Sequence, residues 1–321
     1  MPSSLARIGP MGLADSRQAA PEGSAEPARP LPRGPLPSAG DPSVWASGRE
    51  AVSSPLGRVV AHRWWVQWAH DGSTPQSPQV LGHPVVHLTV EWGRSLAGDP
   101  APMHGHLSPC ILLHGPMRAT FSVDLPPEGW VAGIAFHPGA FAAATGVEAD
   151  RYAAQVVPAA DLLGPAASTW LDRVVPHAHR EGPAEASATL LDAAASRLRL
   201  PGPGEAPGYE LVRAACDRMQ NQGHRAVADV ALDLHVSVRT LQREFRRLVG
   251  LSPLVVLRRY RLQEAAARLE EGGAPDLASL AADLGFSDHA HLTREFTAAV
   301  GLTPSAYRDR VARARAVHAR A

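Results

Sequence analysis

Apolar and polar positions follow one period in the first two thirds of the chain and another in the last third. Between about Val52 and Pro138, short apolar stretches recur between turn residues: Val59–Trp68, Val80–Val90, Ile111–Leu113, Ala119–Leu125 and Trp130–Phe136. His87 to Trp92 and Thr120 to Leu125 alternate as half-buried strands do. Gly-Pro, Pro-Pro-Glu-Gly and His-Pro-Gly segments separate the stretches, so a small β-rich, barrel-like domain is expected. Residues 139–200 are rich in Ala and Leu, and Ala160–Val175 and Ala184–Leu200 carry few turn signals. They predict helices closing that domain. Residues 201–208 alternate Pro and Gly and read as a linker. After residue 209 the period becomes helical. Val227, Val230, Ala231 and Leu234 fall at i, i+3, i+4 and i+7, and Leu277, Leu280, Ala281 and Leu284 repeat that spacing. The expected class is α+β: a β-rich domain over 51–200, then an all-α domain over 209–310.

The helical part contains a duplication. Leu241-Gln-Arg-Glu-Phe-Arg-Arg-Leu-Val-Gly-Leu-Ser-Pro253 and Leu292-Thr-Arg-Glu-Phe-Thr-Ala-Ala-Val-Gly-Leu-Thr-Pro304 share eight of 13 positions at an offset of 51. Upstream, Ala231, Asp233, Leu234 and Ser237 match Ala281, Asp283, Leu284 and Ser287 at an offset of 50. The second copy has thus gained one residue in its turn. Each copy predicts helix, turn, helix. Asp276, Ser237 and Ser287 are the expected N-caps. Gly250 and Gly301 supply left-handed C′ positions, and Ser252-Pro253 and Thr303-Pro304 restart the chain as N-cap and N1. Pro253 to Glu271 predicts a long helix joining the two units.

The second helix of each unit carries candidate chemistry. In the first, Leu241, Phe245 and Leu248 form an apolar stripe, and Arg239, Gln242, Arg243 and Arg246 lie opposite. Arg can bond guanine in bidentate fashion and Gln can do so with adenine, so this face suits a major groove. In the second, Leu292, Phe296 and Val300 face inward, while His289, Ala290, Thr293, Arg294 and Thr297 lie toward the other side. That surface is less basic.

Composition sharpens the division. The chain of 321 residues has no lysine, and its 31 arginines balance 31 acids. Residues 1–222 hold 16 Arg against 20 acids, whereas residues 223–321 hold 15 against 11, a balance of +4 where the duplicated helices lie. In residues 1–50, Pro, Gly, Ser and Ala fill 30 positions, too few apolar groups to offset the entropy of ordering, so a disordered extension is expected. An Arg/Ala tail, 311–321, ends the chain. Cys110 and Cys216 form no motif, which excludes a disulfide framework or a CxxC zinc site and makes a cytoplasmic location the expectation. The uncharged stretch Trp130 to Val147 lacks the strongly apolar run that spans a bilayer.

With these residues in view, 208–308 resembles the DNA-binding domain of the AraC/XylS family of transcription regulators. Val236-Ser-Val-Arg-Thr-Leu-Gln-Arg-Glu-Phe245 and Leu284-Gly-Phe-Ser-Asp-His-Ala-His-Leu-Thr-Arg-Glu-Phe296 are close to that family's two recognition-helix signatures, and Gly301-Leu-Thr-Pro-Ser-Ala-Tyr-Arg308 matches its closing segment. The resemblance implies double-stranded DNA as partner and two recognition helices in successive major grooves. It assigns base contacts to Arg239, Gln242, Arg243, His289, Ala290, Thr293 and Arg294. Phosphate contacts are expected of Arg246, Arg247, Arg258, Arg259 and Arg308. RNA polymerase, a small-molecule effector and a second copy of the chain are the other partners considered.

Arg63-Trp-Trp-Val-Gln-Trp68, Leu113-His-Gly-Pro-Met-Arg118 and Ala135-Phe-His-Pro-Gly-Ala140 resemble an uncharacterised β-rich domain found before such DNA-binding units. That implies a sensing or oligomerisation role, with Leu190 and Leu198 as one candidate dimer face. The competing class is a metal-dependent, cupin-like β-barrel enzyme fused to a DNA-binding domain. His83, His87, His104, His106, His114 and His137 are its only support. His104-Gly-His106 has the spacing of a metal-binding HxH, but no carboxylate follows it closely, so loop histidines without metal are expected. Trp64, Trp65 and Trp68 cannot share one strand face, and at least one is expected in the core. No Ser–His–Asp, P-loop or dinucleotide motif occurs, and neither catalysis nor a cofactor is expected.

Overall fold

The computed structural model describes residues 46–318 apart from 54, 81, 119–120, 222–225 and 272–275. The expected extension up to residue 45 and the end of the tail, 319–321, lie outside the described residues. Ten strands are described: β1 (Ala46–Ala51), β2 (Val60–Ala69), β3 (Gln79–Val80), β4 (His87–Arg94), β5 (Pro102–Met103), β6 (His106–Leu107), β7 (Cys110–His114), β8 (Phe121–Ser122), β9 (Glu128–Phe136) and β10 (Val156–Pro158). Six of them form an antiparallel sheet in the order β1-β2-β9-β4-β7-β10. The strands β3 and β8 make one small antiparallel ribbon, and β5 and β6, consecutive in the chain, make another.

Several expectations change. The strand β1 begins inside the segment read as disordered, and pairs with β2 along its whole length. The stretch Val80–Val90 is not one strand. Pro84 lacks a backbone donor, and the ladder resumes only at His87. Of Ala119–Leu125, only Phe121–Ser122 is strand, with a bridge from Leu125 to Gln76. The barrel is not closed among the described residues: β1 and β10 are the ends of the sheet, and no pairing joins them.

The sheet buries both faces. Leu88, Val90, Ile111, Leu113, Ala132 and Ile134 point one way, onto α3 (Ala166–Glu181) and α4 (Pro183–Ala195). These helices follow the short α1 (Ala140–Thr145) and α2 (Ala160–Leu163). Leu190 is fully buried in this layer, which removes it from any dimer face, and Leu198 packs at the margin of the same core. On the opposite face Trp68, Val66, Val131 and Met103 form a second, small core with Trp64 packed against it. Period two therefore puts Trp64 and Trp68 on one side and Trp65 on the other, as their spacing requires. Trp68 lies over Gly129, where a Cβ would come within 2.4 Å of the indole.

The helical part comprises α5 (Pro207–Asn221), α6 (Val227–Asp233), α7 (Val238–Val249), α8 (Pro253–Glu270), α9 (Leu277–Asp283), α10 (His289–Val300) and α11 (Pro304–His318). Its two units pack differently. In the first, Val230, Ala231, Leu241, Phe245 and Leu248 belong to the same continuous core as the sheet. In the second, Leu280, Ala281, Leu292, Phe296, Val300 and Tyr307 form a separate core. The helix α8 serves both: Val256, Leu257 and Tyr260 enter the first core, and Leu262, Ala265, Ala266 and Leu269 the second. Polar contacts fix the first unit against the β-rich part. Arg259 donates from Nη2 to the Arg118 carbonyl at 2.6 Å, and the Tyr209 hydroxyl donates to the Arg58 carbonyl at 2.7 Å. At Gly250 (φ 77°) a Cβ would lie 2.9 Å from the Ala149 carbonyl oxygen and 2.9 Å from the Pro116 ring.

Candidate nucleic-acid interface

Each unit is built as its sequence suggests, with one exception. The turn between α6 and α7 passes through His235 at φ 53°, and that between α9 and α10 through Gly285 at φ 73°. This left-handed residue reverses the chain and sets the second helix across the first. In the first unit the Ser237 hydroxyl accepts from the Thr240 N–H at 3.0 Å, the expected N-cap. In the second, Asp288 and not Ser287 is the cap, its carboxylate accepting from the His291 N–H at 2.6 Å. The residue added to the second turn moves the cap by one, so Asp288 stands 51 positions after Ser237, in register with the rest of the repeat. Ser287 instead bonds the His291 ring at 3.1 Å. Asp276 caps α9, and Gly250 and Gly301 end α7 and α10 with φ of 77° and 79°.

The helix α7 is sharply two-faced. Leu241 and Phe245 are fully buried and Leu248 nearly so. Arg239, Gln242, Arg243 and Arg246 are all exposed, on one helical face. Beside them the carboxylate of Glu244 takes the Arg243 Nε–H at 3.0 Å and the Arg247 Nη2–H at 2.7 Å. Burial alone would raise the Glu244 carboxyl; hydrogen bonds and charge from Arg247 and Arg243 outweigh it and hold it low. That ion pair draws Arg247 toward Glu244 and Gly208 and away from the α7 face.

The helix α10 offers less. His289, Ala290 and Arg294 are exposed, while Thr293 is half-buried with its hydroxyl 3.3 Å from His289 Nε2. Among the expected phosphate contacts, Arg246 is exposed. Arg258 is exposed but lies 3.9 Å from Glu295, across to α10. Arg308 is half-buried next to Asp309. Arg259 is a correction. It is 3% exposed, its guanidinium sits under the β-rich part, and burial lowers it to about 10. An arginine so placed does not reach a phosphate and leaves the set. Periodicity along α8 shows a buried face without showing what covers it.

One constellation escaped the sequence reading. Glu91 on β4, His114 on β7 and His104 between β5 and β6 place one ligand atom each within 4.8 Å of one another. The carboxylate sought next to the HxH exists, but it lies upstream in sequence. The available signal was Thr89-Val-Glu91: two polar residues at alternate positions of a strand whose other face, Leu88, Val90 and Trp92, is apolar. His106, the other half of the HxH, is not in the group.

Residues 230–310 match a family described as a helix-turn-helix domain, and residues 51–158 match one described as a domain of unknown function, DUF6597. A protein of Streptomyces lividans named as an AraC-like transcription regulator is 40% identical over 82 residues, 26% of this chain and 27% of that protein. One of Streptomyces antibioticus with the same name is 38% identical over 82 residues, again 26% and 27%. The chain thus spans only about a quarter of the length of these curated relatives. Among solved structures, the DNA-binding domain of AdpA, a global transcriptional factor in complex with a target DNA, is 32% identical. The match covers 34% of this chain and 95% of that one at a TM-score of 0.29. ToxT from Vibrio cholerae O395 is 10% identical and covers 83% and 98% at 0.38. The duplicated turns, the two capped second helices and the sequence matches agree over the same residues: 230–310 form a helix-turn-helix domain that is similar to part of two AraC-like transcription regulators.

Proposed function

We propose that this protein is a sequence-specific, DNA-binding transcription regulator of the AraC type that reads a bipartite site. The observation that carries the reading is the exposed face of α7, where Arg239, Gln242, Arg243 and Arg246 stand opposite a buried apolar stripe. Arg239, Gln242 and Arg243 contact base edges, and Arg246 a phosphate. Arg258 and Arg308 are secondary phosphate contacts and Arg247 a weaker one. From α10, His289, Ala290, Thr293 and Arg294 face the second groove and form fewer hydrogen bonds to bases. The helix α8, with 18 residues, is about 27 Å long, of the order of the roughly 34 Å between successive major grooves on one DNA face.

The β-rich part acts as a sensing domain. Support comes from the continuous core it shares with the first unit: a ligand that favours one packing of the sheet also favours one placement of α7. No described helix is long and apolar enough to cross a membrane, consistent with a regulator acting in the cytoplasm. The test is a gel shift of the full chain on duplexes recovered by genome-wide footprinting. Arg239→Ala with Arg243→Ala abolishes the specific shift; an unchanged shift would falsify the assignment of α7.

A further inference from the structure

We propose that Glu91, His104 and His114 form a binding site for a divalent transition-metal ion in the β-rich part. The three side chains come from separate segments and meet beneath the sheet. Glu91 is 1% exposed and points away from the helix-covered face, with Thr89 two residues before it on the same side. His114 Nε2 lies 2.8 Å from Glu91 Oε1, and His104 Nε2 lies 3.8 Å from Glu91 Oε2. The two imidazole rings stand edge to face, 4.9 Å between centroids. Metal–ligand bonds of about 2.0–2.2 Å put the ligand atoms of a tetrahedral site about 3.3 Å apart, so these separations need only small rotations to close on one ion.

Two further observations point to a ligand. The Glu91 Oε2 atom is buried without a hydrogen-bond partner, a costly state for a carboxylate oxygen that a cation relieves. His104 is also held at a cost. It occupies φ 50° and Gly105 φ 81°, the paired positive dihedrals of a tight β5–β6 turn, and His104 is one of the few non-glycine residues so placed. Met103, fully buried against Val66, Trp68 and Val131, anchors that turn. The buried Ser108 hydroxyl ties its exit to Gly93 on β4, donating to the carbonyl at 2.6 Å and accepting the N–H at 3.1 Å. The hairpin is thus fixed with its imidazole over Glu91. Around the cluster, the Thr89 hydroxyl lies 2.8 Å from Glu91 Oε1 and 3.1 Å from His114 Nε2, an outer-shell group that orients both ligands.

Two imidazoles and one carboxylate suit a borderline ion of the Fe(II)–Zn(II) series and leave coordination positions for water or an exogenous ligand. The inference is independent of DNA binding.

The experiment is titration of the chelator-treated full chain with Co²⁺, followed by visible absorption, and with Zn²⁺ by equilibrium dialysis. One ion per chain is expected. His104→Ala, at a partly exposed turn, weakens binding by more than 100-fold, above the roughly 10–100-fold expected for Thr89→Val. His106→Ala changes it by less than about threefold, since its ring is outside the cluster; thermal unfolding of each variant confirms folding. No stoichiometric binding to the wild-type chain overturns the site. So does binding that His104→Ala leaves intact, or that His106→Ala removes.

Discussion

The two helix-turn-helix units arise from one duplicated sequence and end in different surroundings. The first shares its core with the β-rich part, presents a strongly basic helix and is fixed by Arg259, Tyr209 and Gly250. The second has its own core and a recognition helix with one exposed arginine, Arg294. The shared residues are those that set local geometry: the inward Leu and Phe, the C′ glycines and the Ser/Thr-Pro restarts. The residues that differ set what each helix touches. Duplication kept the frame and let the two surfaces diverge, so that one unit is also the attachment point for the sheet and the other stands on a core of its own.

Core truncation gives the largest effect that distinguishes the units. Phe245 and Phe296 occupy equivalent, fully buried positions, and replacing either by Ala should cost about 3–5 kcal/mol. All seven tryptophans lie in the first 170 residues, so their fluorescence reports only that part. Phe245→Ala lowers the tryptophan unfolding midpoint, whereas Phe296→Ala lowers far-UV helicity and leaves the tryptophan transition in place. Equal shifts from both variants would break the distinction.

Next in size are the proposed base contacts. Arg243→Ala should weaken specific binding by about 1–3 kcal/mol and relax preference at one base pair. Arg294→Ala should cost less, as part of a surface with fewer hydrogen-bonding groups. Competition gel shifts with singly substituted duplexes measure both.

Gly250→Ala and Gly301→Ala both force a Cβ into the left-handed region, at a cost of about 1–2 kcal/mol. At Gly250 the new methyl group also meets Ala149 and Pro116, so it should be the more damaging and should alter tryptophan emission.

Acid provides a gentler probe. Burial, then Arg49, lowers His62 to about 3, and burial, then Arg259 and Arg49, lowers His83 to about 4. Both are neutral in the fold and take up a proton more readily when unfolded, near 6.5. The unfolded chain binds more protons below that value, so the β-rich part loses stability as pH falls from about 6.5 toward 4. The caps of the second unit respond later. Backbone N–H groups hold Asp276 and Asp288 below the ordinary aspartate value, so their contribution persists until the pH falls below that range. Thermal unfolding against pH, followed by tryptophan emission and by helicity, should separate the two. The smallest expected effect is on salt dependence: Arg246→Ala reduces the slope of log K against log salt by about 1.

The helical domain was legible in sequence because its determinants are local. Periodicity, caps and C′ glycines lie within a few residues of one another, and duplication states them twice. Even there, one inserted residue moved the second cap from Ser287 to Asp288. The β-rich part was legible as strands but not as a sheet. Strand order, the open edges at β1 and β10, and the break at Pro84 depend on partners far along the chain. The same distance hid the burial of Arg259 beneath residue 118 and the meeting of Glu91 with His104 and His114. Apolar spacing marks a face as buried without naming its cover.

The central claim, that both units read DNA as one bipartite reader, is tested most directly by selecting random duplexes with the full chain and sequencing what it retains. Two blocks of base preference are expected, centred about one helical turn, roughly 10–10.5 base pairs, apart, the stronger one erased by Arg239→Ala with Arg243→Ala. A single block, or enrichment that survives that double substitution, would contradict it.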